Sequence, residues 1–234
     1  MPMSQFLMNL PTLIAQAAAL IIGIVVHESA HALAASALGD RTARDRGRVS
    51  LNPFAHIDPF GTVLLPLLMI FTGGPVFAFA KPVPVYLGNL RHPRRDELIV
   101  ALAGPASNIA LAVLAATGLG LLTGSSGGFG LSGDAYGAAQ TFLLMAIVVN
   151  LSLAFFNLLP LPPLDGSAVL VVFLKGEALN TYYRIQRYSM PILITALYLL
   201  PSLTGIDIIG SYFDVTVYPV ANALLELANA IALH

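Results

Sequence analysis

The sequence predicts an integral membrane protein: a mainly α-helical polytopic bundle with a small membrane-associated β-sheet. About 5–6 transmembrane or re-entrant segments are expected from the length of its apolar runs. Three observations carry this. The 234-residue chain has a mean hydropathy of +0.81, and 57% of its residues are hydrophobic against 10% charged. Its apolar residues gather in long runs, and its basic residues are confined to three short segments. A soluble domain carries roughly 25% charged residues; a chain this depleted could not hide its apolar surface from water, whereas a bilayer requires that surface. The net charge of −1 points to no nucleic-acid partner. With no cysteine there is no disulfide framework, thiolate nucleophile or Cys-ligated metal, so metal chemistry would fall to His, Asp and Glu.

Residues 7–38, 61–80, 98–122, 135–159 and 188–203 are apolar runs, and the first, third and fourth meet the span length of about 20 residues. A sixth, 215–233, carries Asn222, Glu226 and Asn229 at helical spacing. These form one polar stripe, expected to face protein or water rather than lipid. No cleavable leader is expected, because the first run continues without a small-residue exit into His27, Glu28 and His31. The chain reads as one membrane domain over 1–234, with a core at about 7–175 and further membrane segments at 188–234.

All eleven basic residues fall in three groups: Arg41, Arg44, Arg46 and Arg48; Lys81, Arg91, Arg94 and Arg95; Lys175, Arg184 and Arg187. Positive residues favour the cytoplasmic side, so the first helix runs inward, the third outward and the fourth inward, and the fifth leads out again. Residues 61–80 have basic flanks on both sides and contain Pro66, Gly73, Gly74 and Pro75. They read as a re-entrant or shallow element, with an ordinary span as the alternative. Gly47–Asn52 and Ala80–Tyr86 alternate and carry β-branched residues, as short strands do. Pro82 and Pro84 share a parity, which puts the second strand at a sheet edge. The Arg41–Arg48 group reads as a headgroup and topology signal, and Tyr182, Tyr183 and Tyr188 as an interfacial belt.

His27-Glu28-Ser29-Ala30-His31 is an H-E-x-x-H sequence. On a helix its two His lie one turn apart on one face and can converge on Zn²⁺, with Glu28 beside them to take a proton from a water that the metal activates. Ionisable residues inside an apolar helix are costly and mark function. Catalytic zinc usually takes three protein ligands. The best candidate for the third is Asp165, just past Pro160, Pro162 and Pro163, which must end the fourth helix. Its bland alternative is an ordinary loop aspartate in a Pro-Leu-Asp-Gly turn. His27 and His31 lie about 10–16 Å below the inner end of the first helix by the helical rise. Asp165 follows the inner end of the fourth, so all three share one side. His56 reads as structural or as a partner to a ligand, Asn108 as a packing contact beside Gly104-Pro105, and His92 as solvated.

These residues resemble the site-2 proteases, intramembrane zinc metalloproteases, in a compact form without a PDZ or CBS domain. The likeness covers roughly residues 20–175. It includes the H-E-S-A-H helix, Leu38-Gly39-Asp40, Gly47 to Pro53, His56 to Gly61, Ala80 to Val85, Arg94-Arg95-Asp96, Ala103 to Asn108, and Phe156 to Gly166. The resemblance implies His27, His31 and Asp165 as ligands of one zinc ion per chain and Glu28 as catalytic base. It also implies Asn157 at the active site as an oxyanion donor. Transmembrane proteins are the implied substrates, the lipid bilayer the surroundings, and a prokaryotic plasma membrane the location, with the active site opening to the cytoplasm. Ala168 departs from the pattern, where a basic residue is expected. The alternative function is a metal or proton transporter using the same buried cluster. A transporter should show repeated halves, and the chain has no internal repeat.

Overall fold

The computed structural model describes residues 3–64, 81–125, 128–205 and 207–233. Nine α-helices are found among them. They are α1 (Met3–Ala37), α2 (Thr42–Asp45), α3 (Pro93–Gly124), α4 (Gly133–Asn157), α5 (Ser167–Phe173), α6 (Gly176–Gln186), α7 (Ser189–Thr204), α8 (Ile208–Val215) and α9 (Val217–Ala232). Four helical stretches are long and apolar enough to cross a membrane: Leu10–Ala37, Pro93–Gly124, Gly133–Asn157 and Ile208–Ala232. The first three are the expected spans. The fourth joins α8 and α9 across Thr216 and takes in the polar-striped segment. A π-helical turn at Pro59–Leu64 opens the expected re-entrant element; the rest of that element, 65–80, lies outside the described residues.

The chain divides into two compact units. One gathers 1–23, 106–155 and 212–234. Its core is built from small side chains, with Ala19, Ala112, Ala116, Ala146, Ala221 and Ala228 buried around Leu119, Ile147, Leu151 and Val217. Helices in lipid gain nothing from hiding apolar surface from other apolar surface, so close approach of small residues supplies the packing. Gly120 and Gly124 carry this furthest. A Cβ at Gly120 would lie 2.8 Å from the Ile231 Cβ, and one at Gly124 would lie 2.8 Å from the Ala232 Cα. The rising order of these contacts makes α3 and α9 parallel. A polar knot also holds the unit: Asn108 donates to the Gly23 carbonyl at 3.1 Å and to the Asn150 side chain at 2.9 Å, and Asn150 donates to the Ala146 carbonyl at 2.9 Å. Asn108 is thus the packing contact that Gly104-Pro105 suggested.

Two of the expected segments can be described here. The Tyr212 hydroxyl donates to the Phe155 carbonyl at 3.1 Å, so residues 156–211 leave and return at the same end of this unit. The segment at 188–203 forms α7, of 16 residues. At that length it is not among the four candidate spans, so the outward crossing expected there is not found among them. Asn222, Glu226 and Asn229 lie on the exposed face of α9, opposite buried Val217, Ala221 and Ala228, so none of the described residues covers the stripe.

The other unit gathers 24–105 and 156–211. The expected β-sheet is not found: among the described residues there is no strand, and 47–52 and 81–86 run without a ladder. The physical reason is that other partners take their backbone groups. The Ser50 carbonyl accepts from the Ser29 hydroxyl at 2.6 Å and from His56 Nε2 at 2.7 Å. Lys81 donates its N–H to the His56 carbonyl at 2.9 Å, and its own carbonyl accepts from Arg48. The Tyr86 N–H donates to Asp40 Oδ2 at 2.6 Å. Between them Pro82 and Pro84 have no N–H to give.

Candidate metal centre

The H-E-x-x-H residues sit on α1, which continues as a regular helix through them to Ala37. The one-turn spacing brings the His27 and His31 rings to a centroid separation of 4.6 Å, edge to face. Both rings are buried. Asp165 reaches them from the irregular stretch after α4. That helix ends at Asn157, three residues before Pro160, because a proline there can neither donate nor accommodate the preceding turn. The chain then folds back, and the Gly166 N–H donates to the Asn157 carbonyl at 2.6 Å. A side chain at Gly166 would collide with the Leu158 carbonyl, so this tight return requires glycine. Beyond it, the Tyr182 hydroxyl on α6 donates to the Ser167 hydroxyl at 2.8 Å and holds the start of α5.

Asp165 Oδ2 lies 3.0 Å from His27 Nε2 and 3.3 Å from His31 Nε2. The ligand atoms of the three residues fall within 4.8 Å of one another, the one such group of His, Asp or Glu among the described residues. Oδ2 is buried and makes no hydrogen bond of proper geometry with either ring. Three potential ligand atoms thus crowd one point. Burial pushes the Asp165 carboxyl up, and the two imidazoles beside it outweigh that, holding it down at about 2. The carboxylate is therefore ready to act as an anionic ligand.

The surroundings position these candidate ligands. His31 Nδ1 lies 2.7 Å from the Val100 carbonyl on α3. A carbonyl can only accept, so Nδ1 carries the proton and Nε2 keeps its lone pair. Gly104, one turn further along α3, makes room for the rings. A Cβ there would lie 2.5 Å from His27 Nε2 and closer still to His31 Nε2. Two imidazoles, one carboxylate, a fixed tautomer and a side-chain-free wall fit the donor set of a catalytic zinc. Glu28, half-buried, lies within electrostatic reach of His31, His27, Asp165 and Arg48.

The remaining expectations divide. Asn157 is half-buried at the end of α4, and its backbone carbonyl closes the turn that carries Asp165. His56 is fully buried and outside the ligand group. Its Nδ1 has no partner, so its Nε2–H is the donor to Ser50. His92 is exposed. Arg48 departs from its group: it is 5% exposed, whereas Arg41, Arg44 and Arg46 lie on the surface. Gly104 was visible in the sequence only as a small residue in an apolar helix, and nothing local marked it as the wall against the rings.

Comparison with known proteins identifies the family of the chain. The model of "Peptidase family M50" matches residues 129–200. The chain is 36% identical over 224 residues to "Putative zinc metalloprotease YwhC" of Bacillus subtilis (strain 168), covering 91% of this chain and 90% of that protein. Two Rip2 proteins carrying the same descriptor are also similar. That of Mycolicibacterium smegmatis is 31% identical over 83% of this chain and 71% of its own length. That of Mycobacterium tuberculosis (strain H37Rv) is 32% identical over 79% of this chain and 66% of its own. No solved structure matches the chain.

Proposed function

The chain belongs to peptidase family M50, the site-2 proteases, and from that membership we propose that His27, His31 and Asp165 hold one zinc ion, with Glu28 as the general base. The protein is an intramembrane zinc metalloprotease, and the transporter reading is not favoured. The observation that carries the residue assignment is the meeting of three ligand atoms within 4.8 Å around the unsatisfied Oδ2 of Asp165.

When bound, zinc supplies a Lewis acid that polarises the scissile carbonyl and lowers the pKa of the attacking water. Glu28 takes the proton from that water as its oxygen bonds to the carbonyl carbon, then delivers it to the departing amine nitrogen as the C–N bond breaks. Val100 holds His31 in the tautomer that leaves Nε2 available throughout. Asn157 serves as a donor to the carbonyl oxygen, which gains charge as it becomes tetrahedral.

Helical substrates present a further demand. A transmembrane helix has its carbonyls bonded internally, so the cleaved stretch must be extended. The 81–86 segment suits this. Its ends are tied by Lys81 and Tyr86, and in an extended segment the N–H groups of Val83 and Val85 would share one edge, clear of Pro82 and Pro84, as adding a strand requires. The substrates are transmembrane proteins in a prokaryotic plasma membrane, and the site opens toward the cytoplasm, where the basic segments at 41–48, 81–95 and 175–187 lie.

The test is cleavage of a synthetic single-span peptide with a central Gly-Pro break by the purified chain. Turnover should stop on chelation and return with zinc. Chelator-resistant cleavage, or none under any zinc condition, defeats the proposal.

A further inference from the structure

Arg48 stands in a run of arginines that otherwise faces outward, yet its guanidinium is buried. Burying a cation is costly unless its donors are matched. Arg48 donates from Nη1 to the Ala55 carbonyl and from Nη2 to the Lys81 carbonyl, its backbone N–H donates to the Ala43 carbonyl at 2.9 Å, and its Nε is buried without a hydrogen-bond partner. The planar fork of a guanidinium can hold two carbonyls on separate stretches of chain at a fixed spacing. Here the stretches are the loop 48–56 and the start of the segment 81–86.

That loop is tied in turn to the catalytic helix. Ser29, next to Glu28, donates to the Ser50 carbonyl at 2.6 Å, and the fully buried His56 donates to the same oxygen at 2.7 Å. The His56 carbonyl takes the Lys81 N–H at 2.9 Å. A continuous polar path therefore runs from the residue after Glu28, through Ser50 and His56, to Lys81, and Arg48 closes it from the other side. Arg48 also lies within electrostatic reach of Glu28 itself.

We propose that Arg48 is a positioning residue for the substrate: by clasping Ala55 and Lys81 it holds the 81–86 segment at a set distance from Glu28, so that a bound extended peptide meets the catalytic base in register. This rests on the reading of 81–86 as the substrate-pairing edge. It gives Arg48 a task that neither headgroup binding nor topology requires, since a guanidinium spent on two internal carbonyls cannot also lie among phosphates.

The experiment uses the full-length zinc-loaded enzyme and the same single-span peptide, with Arg48→Met, Arg48→Lys and Val83→Pro compared with the parent. Arg48→Met should raise KM at least fivefold, with kcat within twofold and zinc content unchanged, and the Lys81 amide should exchange with deuterium faster. Arg48→Lys should fall between, because an ammonium retains the charge and not the fork; if Arg48→Met does not fold, this variant decides. A parental KM and a parental Lys81 exchange rate in Arg48→Lys and Arg48→Met overturn the clasp, as does a loss confined to kcat. Val83→Pro removes an edge donor and leaves the clasp intact. Raised KM there with parental KM in the Arg48 variants rejects the clasp and keeps the edge. The opposite pair of results rejects the edge, and with it the register role proposed for Arg48.

Discussion

His31 donates its Nδ1 proton to the carbonyl of Val100 at 2.7 Å, which reserves Nε2 for the point it shares with Asp165, 3.3 Å away. That bond ties a proposed ligand to the neighbouring helix α3, whose Gly104 forms the wall against both rings. Helix α3 thus shapes the candidate metal centre without offering a ligand of its own.

The wall at Gly104 can be tested by itself. Gly104→Ala places a methyl against His27 Nε2 and His31 Nε2, so the rings must turn away from Asp165. Zinc affinity should fall by roughly 10–100-fold, the scale on which residues that orient ligands act. Competition with a fluorescent chelator measures it; parental affinity would mean that the helices part freely enough to absorb a methyl.

Asp40 predicts a pH dependence at the end of α1. Its carboxylate accepts from the Thr42 N–H, the Asn89 side chain and the Tyr86 N–H at 3.0, 3.0 and 2.6 Å. Burial pushes its carboxyl up, but these hydrogen bonds prevail and hold it at about 2. A carboxyl whose folded pKa lies below its unfolded value stabilises the fold above the unfolded pKa, near 4, and that contribution fades as pH falls through about 2. At pH 6 that contribution should be present in full. Thermal unfolding in detergent should show Asp40→Asn less stable than the parent at pH 6, with the gap closing toward pH 2. A gap that does not change with pH would assign the loss to geometry instead of charge.

What the sequence made legible follows from what is local. Long apolar runs identify spans because a backbone in hydrocarbon must bond to itself. The i, i+4 spacing fixes His27 beside His31, and three prolines in four positions end α4 wherever its neighbours lie. The sheet was not legible. Alternation in Val83-Pro84-Val85 looks the same whether the segment pairs with a strand or is pinned by Arg48 and Asp40. Nor could the pattern tell which arginine of Arg41, Arg44, Arg46 and Arg48 turns inward, since that depends on carbonyls 7 and 33 residues away. At 188–203 the apolar run gives a helix of only 16 residues, short of the span length, because hydropathy measures how apolar a segment is and not how far its helix extends.

The proposed topology can be checked with single cysteines, because the native chain has none. Asn52→Cys and Leu161→Cys, both at exposed positions, should react with a membrane-impermeant thiol reagent from the cytoplasmic face alone. Asp134→Cys, exposed at the start of α4, should react only from the other face. Labelling of Leu161→Cys and Asp134→Cys from the same side would remove α4 from the set of spans.

The assignment of ligands and base is tested most directly by measuring bound zinc and peptide turnover together in Glu28→Gln and Asp165→Ala. Glu28→Gln keeps all three ligands and loses the base. It should retain one zinc per chain while turnover falls by roughly 10²–10⁴-fold, the usual worth of a general base. Asp165→Ala removes a ligand whose oxygen lies 3.0 Å from His27 Nε2, so zinc occupancy itself should drop. Parental turnover in Glu28→Gln, or full zinc occupancy with activity in Asp165→Ala, would contradict the assignment.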